Sequence, residues 1–295
     1  MIRIRVPATS ANLGPGFDAL GLSLKLYNSF EIEEIEKGLI ITGVDKSLAN
    51  EYNLVYMSMQ RAFEKIGYRP RGIKIHMDAQ IPMSRGLGSS AACIIGGVMG
   101  ANTLVGERLT TDEILDLATE IEGHPDNVAP ALLGGLVVSI AEEGRTIYNK
   151  LDIAKGLKFV ALIPDFSLST KRAREVLPDK IAFKDGTSNL ARVSMLLTAL
   201  ANGKFHLLEY ALKDSLHQPY RGRLIPDFFD IMDKNRELGA LGSYLSGAGP
   251  TIMAVVGEGD SEFTHEIKKY LGTLDNGWTV KELELDSLGS RVEKD

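Results

Sequence analysis

The sequence predicts an α+β fold in two domains, and three observations carry that expectation. Short stretches of apolar alternation, such as Ile2, Ile4 and Val6 against arginines, read as half-buried strands. Windows with capping signals, such as Thr110-x-x-Glu113, read as helices. Strands and helices are mixed at both hairpin-like and crossover spacing, which points to α+β layers. The chain has 295 residues, enough for two domains of roughly 100–200 residues each. The boundary falls in the weakly marked stretch Asp152–Gly156, giving units 1–153 and 154–295.

The elements follow in order. The first strand is expected to stop at Pro7, which cannot donate to a ladder. Leu22, Leu24 and Leu26 resume the alternation, followed by Phe30 and Ile32. Pro7–Gly21 between them reads as a long loop, and loops of that length inside a compact domain are usually functional or disordered. Asn53 caps a helix to Ile66, with Gly67 as its stop. Gly72–Asp78 is a strand, Pro82–Gly88 a turn-rich loop, and a helix opens at Ser89. Thr110 opens a helix to Glu122, Gly123–Asn127 is a turn, and Val128–Leu133 is a short helix. Gly134-Gly135 precede a strand at Leu136–Ile140. In the second half Lys158–Ile163 is a strand, and Thr170–Leu177 a helix closed by Pro178. Ser188–Leu200, His206–Lys213 and Asp227–Leu238 are helices. Gly242–Gly249 reads as a Gly/Ser loop, Thr251–Val256 as a strand, Glu262–Leu271 as a helix and Trp278–Leu285 as the last strand. The polar tail from Asp286 is expected to fray.

Composition removes several function classes. Lysine and arginine total 33 against 39 acidic residues, a net charge of −6, which argues against a nucleic-acid binder. The one basic cluster, Lys171-Arg172-Ala173-Arg174, is too small for a polyanion groove. Cys93 is the sole cysteine, so no internal disulfide framework or cysteine zinc site is expected, and the compartment reads as cytoplasmic. Met1–Pro7 lacks the apolar core of a signal peptide. The longest apolar run, Ala91–Val105, is broken by glycines and Asn102, so no membrane span is expected. Glycine is in excess: 30 of 295 residues against a usual share of about 7%.

The most informative stretch is Ile81-Pro82-Met83-Ser84-Arg85-Gly86-Leu87-Gly88-Ser89-Ser90-Ala91-Ala92. Gly86 and Gly88 allow positive φ and close backbone approach. Ser89 and Ser90 then open a helix whose first N–H groups lack internal partners, which makes a phosphate cradle. A serine-capped glycine turn with no ligand is the alternative reading of the same residues. No Gly-Lys-Ser/Thr follows, so this is not a Walker A loop.

Pro-x-x-x-Gly-Leu-Gly-Ser-Ser-Ala-Ala resembles the ATP loop of the GHMP small-molecule kinases. Pro7-Ala8-Thr9-Ser10-Ala11-Asn12-Leu13-Gly14-Pro15-Gly16-Phe17-Asp18 is similar to that family's first motif. Gly242-Ser243-Tyr244-Leu245-Ser246-Gly247-Ala248-Gly249-Pro250-Thr251 is similar to its third. Within the family, the long first motif resembles the members that phosphorylate homoserine. So do Glu122-Gly123-His124-Pro125-Asp126-Asn127-Val128-Ala129-Pro130, Ser169-Thr170-Lys171-x-Ala173-Arg174 and Gln218-Pro219-Tyr220-Arg221. The resemblance implies a ribosomal-protein-like N-terminal α/β domain, a ferredoxin-like C-terminal domain and often a homodimer. It implies ATP and L-homoserine as substrates, Mg²⁺ as cofactor, and O-phospho-L-homoserine for threonine biosynthesis as product.

The same resemblance places residues. ATP would be held by Pro82, Met83, Ser84, Arg85, Gly86, Leu87, Gly88, Ser89, Ser90, Ala91 and Ala92, with Gly247 and Gly249 closing from the other domain. Ser90 and Glu122 would hold Mg²⁺, although a lone helix-end glutamate is ordinarily a solvated carboxylate. Asn12 and Asp18 would face the amino-acid substrate, where turn chemistry is the alternative. Arg174 and Arg221 would clamp its α-carboxylate, since guanidinium binds carboxylate bidentately. His124 either orients the substrate or caps a turn, and Thr170 either contacts the transferred group or caps its helix. Asn127 would hold the reacting hydroxyl. Mevalonate kinases carry an aspartate base with a lysine nearby, whereas His124–Asn127 follows the homoserine pattern. No dedicated strong base is therefore expected: Asn127, helped by Asp18, positions the hydroxyl. A loose transition state tolerates late proton loss.

Overall fold

Two sheets organise the chain, and the computed structural model describes residues 1–293 of it. Strands β1 (Ile2–Ala11) and β2 (Leu20–Glu34) form a long antiparallel hairpin running from Ile2↔Ile32 to Ala11↔Gly21. Pro7 does not end β1. A register shift between Pro7 and Ala8 accommodates the missing donor, and the strand continues through residues that are all buried. The expected loop therefore shrinks to residues 12–19.

β3 (Gly38–Thr42) follows, an edge strand with only Ile41 buried, which is why no alternation announced it. Helix α1 (Leu54–Ile66) is capped as expected: Asn53 Oδ1 accepts from Val55 N–H at 3.0 Å, and Gly67 takes φ +73°. β4 (Gly72–Ala79) lies between β2 and β3. Next come α2 (Ser89–Leu104), α3 (Thr111–Glu122) and α4 (Pro125–Leu133). The capping box at Thr110 is present. α4 starts at Pro125, not Val128, because proline suits the first helical position. The hairpin β5 (Leu136–Glu142) and β6 (Arg145–Leu151) completes this part of the sheet through β2. β6 went unforeseen, since most of its residues are exposed.

The second half contains β7 (Leu157–Pro164), α5 (Thr170–Glu175), α6 (Phe183–Asn202), α7 (Leu208–Ala211), α8 (Gln218–Arg221) and α9 (Phe228–Glu237). It continues with β8 (Gly242–Leu245), β9 (Ile252–Gly257), α10 (Phe263–Leu271) and β10 (Trp278–Leu283). The sheet order is β10-β7-β9-β8, all antiparallel, which is the ferredoxin-like order. The stretch read as a Gly/Ser loop begins as strand β8, because Tyr244 and Leu245 are buried and pair with Met253 and Ile252. Only residues 246–251 form the loop.

The tail does not fray through residue 293. Asp286 is buried and accepts from Tyr27 Oη at 2.6 Å and from the N–H groups of Leu288 and Gly289. β11 (Arg291–Glu293) pairs with β1, so the end of the chain returns to the first sheet. The last two residues, Lys294 and Asp295, lie outside the described residues.

Packing explains why the site between the halves is firmly held. β7 alternates between two apolar clusters: Phe159, Ala161 and Ile163 join the core of the first half, while Val160 and Leu162 face the core of the second. β9 does the same, with Met253 and Val255 on one side and Ile252, Ala254 and Val256 on the other. A sheet covered on both faces reads as a continuous apolar run. Close helix packing does the rest. A side chain at Gly96 or Gly100 would overlap Phe30 or Ile32, and one at Gly97 would overlap the Val55 carbonyl.

Candidate active site

A cavity of about 640 Å³ opens between the halves, lined by the residue 82–90 loop, the residue 12–18 loop, α3–α4, α5, α8 and the residue 247–249 loop. Gly86 (φ +76°) and Gly88 (φ +68°) are both left-handed. A Cβ on Gly86 would overlap the Ser246 carbonyl and lie 2.9 Å from that of Gly249. One on Gly88 would overlap Thr9 Oγ1. The glycines thus let the residue 82–90 loop come up close against the residue 246–251 loop and strand β1. Ser246 ties them together, bonding Ser10 Oγ at 2.7 Å and donating to the Gly86 carbonyl at 2.6 Å. Thr251 N–H donates to the Arg85 carbonyl.

Gly88 caps α2 without a side-chain bond. The N–H groups of Ser89, Ser90 and Ala91 therefore have no intrahelical partner, whereas Ala92 N–H already donates to the Gly88 carbonyl at 2.9 Å. Pro82, Met83, Ser84, Arg85, Gly86, Gly88, Ser89 and Ser90 line the cavity. Leu87, Ala91 and Ala92 do not contribute side chains, because all three are buried in the core beneath the loop. Arg85 lies at the rim with its guanidinium held by the carbonyls of Pro164, Met83 and Asp165.

At the far end Arg174 donates two bonds to Asp18, at 3.0 and 2.8 Å. Asn12 is buried and bridges loops: its Oδ1 accepts from Asp18 N–H at 3.0 Å, and its Nδ2 donates to the Gly247 carbonyl at 2.9 Å. Arg221 is 2% exposed. Its Nε donates to the Ala173 carbonyl at 3.0 Å, and its Nη1 reaches the Gly247 carbonyl and His217 Nδ1. No carboxylate pairs with it among the described residues, and Nη2 makes no protein bond there. Burial first, then the neighbouring Arg174, pushes its pKa down to about 10.

Between these ends lies a polar chain. Ser90 Oγ donates to Glu122 Oε2 at 2.7 Å. Burial raises the Glu122 pKa, against the Ser90 bond and the nearby His124. His124 Nδ1 meets Asp126 Oδ1 at 2.5 Å, and Asn127 Nδ2 donates to the same oxygen at 3.2 Å. Burial opposes protonation of His124, but the bond to Asp126 and the charges of Asp126 and Glu122 outweigh it, and its pKa is raised. Thr9 Oγ1 donates to Asn127 Oδ1 at 2.7 Å. That bond fixes which way the amide faces. His124 stands at the N-cap of α4 without a capping bond. Thr170 lines the cavity and is not the cap of its helix, since Ser169 accepts from Arg172 N–H.

Reasoning from sequence missed Asp126, Thr9 and His217 as parts of this arrangement. Asp126 stood inside a quoted motif, but only its burial reveals that it organises two neighbours. It also missed the apolar end of the cavity at Val44, Leu48, Tyr52 and Leu54, because β3, which leads into it, carries no signal. Ser90 and Glu122 suit Mg²⁺: the ion favours hard oxygens and needs only one or two protein carboxylates beside phosphate oxygens and water. A half-buried carboxylate with a raised pKa also gains from a cation.

Comparison with known proteins gives a consistent answer. A family model described as GHMP kinases N terminal domain matches residues 53–135, and one described as GHMP kinases C terminal matches residues 196–271. The chain is 53% identical over 292 residues to a homoserine kinase of Clostridium botulinum, covering 99% of this chain and 98% of that protein. It is 50% identical over 293 residues to one of Clostridium beijerinckii, with the same coverage of both. A crystal structure of homoserine kinase from Cytophaga hutchinsonii superposes with a TM-score of 0.89 at 31% identity, covering 99% of this chain and 97% of that one. Mevalonate kinase structures share the fold, with a TM-score of 0.74 at 18% identity.

Proposed function

The chain belongs to the GHMP kinase family, and we propose that it serves there as a homoserine kinase. It moves the γ-phosphoryl group of ATP to the side-chain hydroxyl of L-homoserine, giving O-phospho-L-homoserine for threonine biosynthesis. The observation that carries the substrate is Arg221. A guanidinium buried without an acidic partner is strongly disfavoured unless an anion completes it, and its free edge belongs to the same cavity as the glycine loop. An α-carboxylate supplies that anion, which a neutral sugar does not.

The residues divide the work as follows. The N–H groups of Ser89, Ser90 and Ala91 receive phosphate oxygens at the α2 N-terminus, where the helix dipole favours negative charge. Gly247 and Gly249 form the opposite wall. Ser90 and Glu122 are the residues that would hold Mg²⁺, whose charge neutralises phosphate oxygens when bound. Arg221 takes the substrate carboxylate, with Arg174 oriented beside it by Asp18. Asp18 and Asn12 receive the ammonium group, and Asn127, its amide fixed by Thr9 and Asp126, holds the hydroxyl. His124, held by Asp126, and Thr170 are polar neighbours for the incoming phosphoryl. None of these is a free carboxylate base aimed at the hydroxyl, so the proton leaves late, to phosphate or water. An ADP-release assay tests the reading: turnover is expected with L-homoserine and not with mevalonate. Absence of homoserine-dependent turnover overturns it.

We also propose a division at 153/154 between an ATP-loop domain and a substrate-clamp domain, and a cytoplasmic enzyme. No helix among the described residues is long and apolar enough to cross a membrane. A homodimer through α6 is supported by its outer face, where Phe183 is 88% and Leu190 67% exposed. Apolar side chains displayed along one face mark an interaction surface. Sedimentation is expected to give a dimer that Leu190→Glu dissociates; a monomeric parent protein at micromolar concentration rules the interface out.

A further inference from the structure

His217 takes no part in the reading above, yet it touches Arg221 and the residue 12–18 loop. It is 0% exposed, at the N-cap of α8. Its Nε2 lies 2.8 Å from the Gly14 carbonyl. A carbonyl only accepts, so Nε2 carries the hydrogen. In a neutral imidazole Nδ1 is then an acceptor, and Arg221 Nη1 lies 3.4 Å from it. The Phe17 ring stacks on the imidazole, with centroids 5.2 Å apart, and the Arg221 guanidinium lies 5.0 Å from the centre of that ring.

We propose that His217 is a positioning residue for the amino-acid substrate: its Nδ1 lone pair holds Nη1 of Arg221, so that the free Nη2 edge faces the substrate carboxylate. The inference rests on the reading of Arg221 as the carboxylate's partner. The tautomer that makes this possible is imposed by the Gly14 carbonyl, in the loop that carries Asn12 and Asp18. One imidazole therefore sets both sides of the substrate pocket. Burial and the adjacent Arg221 disfavour the charged imidazolium, which has no lone pair to offer. Asp214 does not replace this role. Its Oδ2 is 3.7 Å from Nε2 and accepts from the N–H groups of His217 and Gln218, and its Oδ1 accepts from Leu216 N–H and Asn189.

The two amide residues separate the functions of the ring. Asparagine places an oxygen near the position of Nδ1 and cannot reach Gly14. Glutamine places an N–H near the position of Nε2 and offers Arg221 nothing at the Nδ1 position. His217→Gln is expected to raise the KM for L-homoserine roughly tenfold, which is the loss of one charge-assisted hydrogen bond. Its kcat stays within about twofold and its KM for ATP is unchanged. His217→Asn is expected to keep the KM for L-homoserine within about threefold. Equal effects from the two variants, or a larger effect from asparagine, overturn the proposal and leave His217 as a loop anchor. ¹⁵N NMR of the unmodified protein at neutral pH gives a check that no folding defect can blur: the Nε2–H tautomer is expected, and an Nδ1–H tautomer or an imidazolium overturns it. Arg221→Gln, run in parallel, isolates the premise. If that variant leaves the KM for homoserine unchanged, the reading of Arg221 fails; if it raises KM while His217→Gln does not, only the role of His217 fails.

Discussion

Replacing Arg221 with glutamine is expected to raise the KM for L-homoserine by roughly 10²–10³ and to move the KM for ATP by less than about threefold. A charged, hydrogen-bonded contact in a buried pocket contributes about 3–4 kcal/mol, and each 1.4 kcal/mol is a factor of ten. A pKa of about 10 still leaves the guanidinium protonated at neutral pH, so the side chain meets the carboxylate as a cation. Glutamine keeps some polarity but loses the charge and the free Nη2 donors. Arg221→Lys keeps the charge without the planar guanidinium that the Ala173 and Gly247 carbonyls and His217 hold in place, and an intermediate rise of about tenfold is expected. Initial rates at saturating ATP, with homoserine varied, read the effect, and thermal melting confirms that the variants fold. A folded Arg221→Gln protein with a wild-type KM for homoserine assigns the carboxylate elsewhere, with Arg174 the next candidate.

The pair Asp18–Arg174 shows what sequence could and could not say about this pocket. Both residues were legible in motifs, as was Arg221. Their pairing was not, because it depends on a loop that reaches across from β1 to α5. Asp18 sits at φ +55°, and Asn12, at φ +71°, holds its N–H. These are local backbone conformations that side-chain periodicity does not encode. The consequence is that the two arginines are not equivalent: one already has a carboxylate and the other has none.

The same distinction runs through the fold. Elements with strong local signals were placed within a residue or two, such as the Asn53-capped α1 and the Thr110 capping box. β3 and β6 were invisible because outward positions in both are apolar as well, Ile40 in one and Ile147 in the other, so the sequence does not alternate where the burial does. Pro7 misled because a bulge let a proline stay within a strand. The tail misled because its polar residues serve internal bonds, with Asp286 buried. The glycine excess reads differently as well. At Gly86 and Gly88 the absent side chain leaves room for Ser246, Gly249 and Thr9 as much as for a nucleotide. A surplus of glycine here marks the meeting of two loops with strand β1, and the proposed function places phosphate in the opening beside it.

Glu122→Gln is expected to lower kcat by about 10²–10³ and to raise the Mg²⁺ concentration needed for half-maximal rate. Losing the ligand charge beside a transferring phosphoryl group removes several kcal/mol of electrostatic stabilisation, and preorganised charge is a leading contribution in such reactions. Ser90→Ala removes a neutral oxygen only, so a loss of about tenfold is expected. Glu122 also makes the Mg²⁺ requirement depend on pH. Burial raises its pKa, so protons compete with the cation as pH falls towards that value, and the ionised ligand is regained as pH rises. In the parent enzyme the Mg²⁺ requirement should increase as pH falls towards the raised pKa of Glu122; in Glu122→Gln, where no proton can bind, that part of the dependence should vanish. Rate against free Mg²⁺ at saturating ATP, across a pH series, measures it. If Glu122→Gln keeps the parent's Mg²⁺ requirement, or if Ser90→Ala is the more damaging change, Glu122 is not the metal's carboxylate. Its bond to Ser90 would then serve only to fix the start of α2.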